Sequence, residues 1–214
     1  MEKLVSMATG WILQWPTWEL IRALGFSAHL LLFIGIVSGI MQSMSLFSGK
    51  TKSLLFAAHT FSLRTGLLMI LAHVLLLTVD SYHPFSWLEL LIPLATESKP
   101  IAYGLGILAF YLILFLALNS EVISLFGKKR WHLLHLLAYP AFFAAMIHGI
   151  TAGTDSSKHW AVTFYSATGG IILVLTVLRA LTRKKGGNAH AHPSGRGRSQ
   201  VGEAHPLQAG KRSP

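Results

Sequence analysis

The chain has 214 residues, of which 52% are hydrophobic and only 12% charged, and its formal net charge is +10. Soluble domains carry about 25% charged residues, so long apolar runs at this charge density mean a polytopic membrane protein. The absence of cysteine excludes disulfides, thiolate metal sites, iron–sulfur clusters and haem attached through cysteine. The positive charge does not point to nucleic acid. Much of it lies in the tail, where Arg183, Lys184, Lys185, Arg196, Arg198, Lys211 and Arg212 are set against Glu203 alone, and cytoplasmic flanks of membrane proteins are ordinarily basic.

In chain order, residues 1–18 form an apolar but short opening segment, interrupted by Pro16 and carrying Trp11, Trp15 and Trp18. Interfacial tryptophans predict a segment lying at the membrane surface; a cleaved leader is disfavoured, because its charge and cleavage features are weak. Five apolar runs follow, at Ala23–Leu46, Leu54–Val79, Ile101–Phe126, Trp131–Thr151 and Ala161–Leu181. Each reaches the roughly 20 residues that a transmembrane helix needs. The expected fold is an all-α transmembrane bundle over residues 19–182, with an interfacial helix or re-entrant turn at "FSWLELLIPL" between the second and third spans. Residues 183–214 read as a basic tail whose Gly, Ser, His and Arg content beyond Gly186 predicts disorder. His190, His192 and His205 belong to that tail and are expected to be solvated.

Basic residues set the orientation. Lys50 and Lys52 lie in the first loop, Lys128, Lys129 and Arg130 in the third, and Arg179, Arg183, Lys184 and Lys185 at the end of the fifth span. These groups fall on one side of a five-span path, and the positive-inside rule makes that side cytoplasmic. The expected protein is thus multi-pass in the plasma membrane, with its N-terminus outside and its tail inside.

The spans also hold histidines at positions 29, 59, 73, 132, 135 and 148. Ionisable side chains within a bundle are costly and usually functional. His59 and His73 are 14 residues apart, which is about 21 Å along a helix and about 40° short of full turns. They leave one face, one near each leaflet. His135 and His148 are 13 apart, about 19.5 Å. By depth, His59 matches His135 and His73 matches His148. Two facing imidazoles at one depth can supply both axial ligands of a haem iron, and two such pairs would stack two haems across the bilayer. One angle does not fit, because thirteen ideal steps leave His135 and His148 about 140° apart around a straight helix. Pro140 lies between them, and proline removes a helix hydrogen bond. A kink or rewinding is therefore expected there. His132 is an alternative ligand, though its spacing matches less well.

With H-x13-H on one helix and "WHLLHLLAYP…IHG" two spans later, the chain resembles the ferric reductase-like transmembrane domain over about residues 19–181. That superfamily includes ferric reductases, NADPH oxidases and the haem-binding subunit of a bacterial methionine sulfoxide reductase system. The resemblance implies two b-type haems ligated by His59, His73, His135 and His148, and electron transfer between the two membrane faces. Larger members carry a flavin and NADPH module after the last span. No Gly-rich nucleotide-binding segment appears here, so electrons are expected from a separate donor protein, an external flavin or membrane quinol. The expected activity is that of an oxidoreductase component, a membrane cytochrome b. The alternatives are a non-redox transporter or channel with a histidine proton relay and a cytochrome b561-like carrier.

Other residues carry weaker signals. Arg64, between His59 and His73, is read as a partner for haem propionates, against an interhelical hydrogen bond. Gly66 admits either close porphyrin approach or close helix packing. Phe142 and Phe143 read as core. His29 reads as a satisfied bundle histidine, against a place beside the outer haem. His83 and His159, with Asp80, Asp155 and Glu89, read as loop residues, against a shallow metal or substrate site.

Overall fold

The computed structural model describes residues 16–80, 84–121 and 123–188, and within them it contains only helices and their connections. These are α1 (Thr17–Ser43), α2 (Gly49–Leu77), α3 (Trp87–Leu91), α4 (Pro100–Glu121), α5 (Ile123–His135), α6 (Ala138–Ala152) and α7 (His159–Asn188). Five apolar stretches are long enough to cross a membrane: Thr17–Ser43, Gly49–Leu77, Pro100–Leu118, Lys129–Ala152 and His159–Thr182. The fourth joins the end of α5 to α6. The chain is a multi-pass helical membrane protein, as hydropathy predicted.

Helix α1 is central. It packs along α2 and also touches α6 and α7, while α4 packs on α6. Leu32 and Ile40 of α1, Phe142 of α6 and Ile172 of α7 form the core. Phe142 is core, as expected, and Phe143 packs against the same cluster. Gly66 is buried where an added Cβ would meet Leu31 Cβ at 3.4 Å. That is an ordinary contact; the tighter approach of α1 to α2 is at Gly35, where an added Cβ would come within 2.6 Å of Leu63 Cδ2. Large exposed side chains such as Leu54, Phe61, Leu68, Val174 and Leu181 cover the outside, as lipid contact requires.

Helix α1 begins six residues before the hydropathy boundary at Ala23. Pro16 stands just ahead of Thr17, and its carbonyl accepts from Leu20 N at 3.0 Å. Proline is tolerated there because no intrahelical N–H is lost. The polar residues that disguised this first turn are paired. Thr17 Oγ1 donates to Asp80 Oδ1 at 2.7 Å, and Arg22 forms an ion pair with Asp155. Thr17 and Trp18 thus belong to the first span and not to a surface segment; residues 1–15 lie outside the described residues.

The stretch between the second and third spans does contain a helix. Ser86 and Glu89 cap α3 reciprocally, with Ser86 N donating to Glu89 Oε2 at 2.9 Å and Glu89 N donating to Ser86 Oγ at 3.3 Å. At the other end of the chain, α7 runs on to Asn188. The backbone is therefore helical past the end of the apolar span at Thr182 and into the first residues of the basic tail, where lysine and arginine are good helix formers. His83, His190, His192 and His205 fall outside the described residues.

The break near Pro140 is present. Helix α5 ends at His135 and α6 begins at Ala138, with a turn at Leu136 and Leu137. Pro140 cannot donate to Leu136 O, and its ring crowds that carbonyl. Tyr139 N reaches Leu136 O instead, at 3.2 Å, and Leu137 N bonds Leu134 O at 3.0 Å. These three-residue steps rewind the chain between the two histidines.

Asp155 is held by both Arg22 and Lys158, the latter at 2.6 Å, and its side chain is 4% exposed. Removing a buried partner strands the other charge, and the partial exposure of Arg22 tempers the effect. Asp155→Ala should cost about 1–3 kcal/mol, read as a lower Tm of the detergent-solubilised protein. An unchanged Tm would remove this pair from the account of how α1 meets α7.

Candidate functional site

The site is built on α2, which packs along α1 and also touches α4. His59 and His73 project from α2. The Nδ1 of His59 lies 2.7 Å from Gly35 O, and that of His73 lies 2.9 Å from Ile21 O, both on α1. The Nδ1 of His148 on α6 lies 2.8 Å from Ala102 O on α4. A carbonyl oxygen can only accept, so each of these Nδ1 atoms carries the proton and donates it. In a neutral ring, Nε2 then keeps its lone pair and points away from the clamp.

Each clamp has the same construction. Four residues after the accepting carbonyl stands a glycine against the ring: Gly25 after Ile21, Gly39 after Gly35, and Gly106 after Ala102. Positions i and i+4 share one helix face, so a side chain there would cover the carbonyl. A Cβ on Gly106 would come within 2.7 Å of His148 Nδ1, and one on Gly39 within 3.0 Å of His59 Nδ1. At Gly25 the nearest atom, His73 Cε1, is 3.5 Å away, an ordinary contact.

The structure brings together both histidine pairs expected from depth. His59 and His135 have ring centres 6.1 Å apart, with planes inclined at 60°. His73 and His148 line one cavity of about 200 Å³, whose surrounding cleft reaches about 1420 Å³ when its open mouth is included. Leu32, Ile70 and Ile113 form part of its apolar wall, while Phe85, Glu89 and Leu90 bound the end near α3. His29 and Arg22 line it too.

Three other residues stand differently. Arg64 is exposed on α2. It lies nine residues from His73, half a turn around the helix from that ring, and is absent from the cavity wall. His132 is exposed and meets Trp131 edge-on, with centres 5.0 Å apart. His29 is 4% exposed, with Nε2 at 3.1 Å from Thr168 Oγ1. Its ring packs on Phe142 at 4.7 Å, but its Nδ1 is buried with no hydrogen-bond partner. It is a bundle histidine that is only half satisfied. His159 is exposed at the start of α7.

Sequence reasoning missed the clamps and missed Arg22, whose Nε is also buried without a partner. The clamps did leave a signal. Gly25 and Gly39 are 14 residues apart, the same interval as His59 and His73. Since α1 and α2 pair antiparallel, each glycine meets one histidine.

Among the described residues, no group of three or more His, Asp or Glu side chains converges to hold a metal ion. The site is thus unlike a zinc centre built from protein ligands alone. The chain matches no protein-family model, no curated protein and no solved structure.

The clearances predict a graded response. Gly106→Ala should force His148 aside and cost about 1–3 kcal/mol, as overpacking does, whereas Gly25→Ala should fall within about 0.5 kcal/mol of the parent. Thermal unfolding in detergent compares them; equal effects would show that the glycines do not make room for the rings.

Proposed function

We propose that the chain is a membrane cytochrome b, in which His59 with His135 and His73 with His148 are the axial ligands of two b-type haems stacked across the bilayer. The observation that carries this reading is the set of Nδ1 clamps. A metal-binding histidine characteristically donates its other ring N–H to a carbonyl or carboxylate, which fixes the tautomer and aims the ligating nitrogen. His59, His73 and His148 all do so through backbone carbonyls.

The donor set fits the group. A haem iron takes four ligands from its porphyrin and needs only two from the protein, so paired histidines suffice where larger clusters are absent. One metal atom bonded to two imidazole nitrogens at about 2 Å each separates the ring centres by about 6 Å; His59 and His135 stand at 6.1 Å. The apolar cavity between His73 and His148 suits a hydrophobic macrocycle. Arg22 supplies a guanidinium at the cavity wall with one nitrogen unpartnered, suited to an acidic side chain of the occupant. The sequence put Arg64 forward for that pairing, and its exposed position favours Arg22 instead.

When bound, the two haems supply one-electron carriers spaced across the membrane. The protein's part is to hold the imidazoles, exclude water and set the local charge. The clamps also favour this reading over a proton relay. The ring protons of His59, His73 and His148 are each committed to a backbone carbonyl, so these three imidazoles are not free to turn and pass them on. Electrons come from a separate donor protein or from quinol, with the basic end of the chain cytoplasmic and the N-terminal end of α1 outside.

The purified protein should give about two haems per chain in a pyridine haemochrome assay, with reduced spectra of the b type. His73→Ala should lose one of the two. A haem-free protein sinks the proposal. Retention of both haems with unchanged spectra in His73→Ala would sink the ligand assignment alone.

A further inference from the structure

The two pairs are not equivalent. His73 and His148 are both clamped, and so is His59, but His135 is not. Among the described residues no carbonyl accepts a hydrogen bond from it. The sequence explains why. On α4, Gly106 seats His148, and the only other glycine between Pro100 and Glu121 is Gly104. Deeper along that helix, where a counterpart for His135 would have to stand, the chain reads "FYLILFLALNSE". No i, i+4 carbonyl–glycine seat can form there.

What holds His135 instead is Trp131, one turn earlier on its own helix. The two rings stack with centres 4.8 Å apart and planes 18° apart. Stacking fixes the plane of the ring without fixing which nitrogen carries the proton. The backbone is also less constrained. His135 is the last residue of α5, and the turn at Leu136 and Leu137 follows at once. His148, by contrast, sits well inside α6.

A partner on the far nitrogen of a ligating histidine typically contributes about 10–100-fold in metal affinity. From this asymmetry we propose that His135 is the displaceable ligand of the four, and that the position it leaves at the His59 haem accepts a small neutral nitrogen donor of the imidazole or pyridine class. The proposal rests on the bis-histidine reading above and extends it to a ligand-exchange site on one side of the membrane only. Nothing is oxidised or reduced in the exchange: one neutral nitrogen lone pair replaces another.

The test uses the purified, haem-loaded full chain. His135→Gly should keep both haems, show one high-spin ferric signal by electron paramagnetic resonance, and return to low spin when imidazole is added. In His148→Gly the vacated Ala102 carbonyl can accept the N–H of the added ring, so rescue there should need at least about tenfold less imidazole. Because either variant could misfold, the unmodified protein provides a second reading. Pyridine at non-denaturing concentration should perturb the reduced absorption band of one haem and leave the other unchanged. The proposal is overturned if both haems respond alike, if neither responds, or if His135→Gly and His148→Gly are rescued equally. Haem present but symmetric in behaviour refutes this inference alone, whereas no haem in the unmodified protein refutes the cytochrome reading itself.

Discussion

The hydrogen bond from a histidine Nδ1 on one helix to a backbone carbonyl on its neighbour is the contact on which this bundle depends. A buried N–H without an acceptor costs about 1–3 kcal/mol, and a membrane interior offers little water to supply one. Helix carbonyls already accept one bond from the amide four residues on, but each has a second lone pair. Using it is favoured where the side chain at that fourth residue is absent. Glycine stands there at Gly25, Gly39 and Gly106, and a Cβ would crowd the ring at Gly39 and Gly106. The same choice lets α1 and α2 approach closely, since Gly35 is also turned into their contact. Helix packing and imidazole orientation are therefore solved by one feature of the sequence.

The second constraint is phase. On α1 the seats repeat at 14 residues, and on α2 the histidines repeat at 14, so two regular antiparallel helices stay in register over both sites. The partner helix has an interval of 13, which a regular helix cannot bring to one face. Pro140 resolves this by ending α5 at His135 and restarting the helix at Ala138. The cost is a histidine left at a helix end, without the seat its three counterparts share. The pairing of His59 with His135 and the looser hold on His135 thus have one origin.

Much of this was legible in the sequence. The five spans follow from hydropathy, a helix or turn at α3 from the stretch "FSWLELLIPL", the histidine pairs from helical spacing, and the break from Pro140. The failures have physical causes as well. Hydropathy placed the start of α1 too late because Thr17, Glu19 and Arg22 look like loop residues until Asp80 and Asp155 are seen to pair with Thr17 and Arg22. Arg64 drew attention by its depth, though its angle from His73 already put it on another face. The clamps went unread because they involve backbone oxygens, and a carbonyl has no letter in a sequence. Their one trace, two glycines at the histidine interval, becomes meaningful only when the two helices are known to pair.

The central claim is that the four histidines form an electron path from one face of the membrane to the other. It is tested most directly in sealed vesicles that contain the haem-loaded protein and a trapped, membrane-impermeant oxidant such as ferricyanide, with an impermeant reductant added outside. The account predicts that the unmodified chain reduces the trapped ferricyanide well above the rate of protein-free vesicles, and that His73→Ala falls to that background. Equal rates with and without protein, or an undiminished rate in His73→Ala, would contradict it.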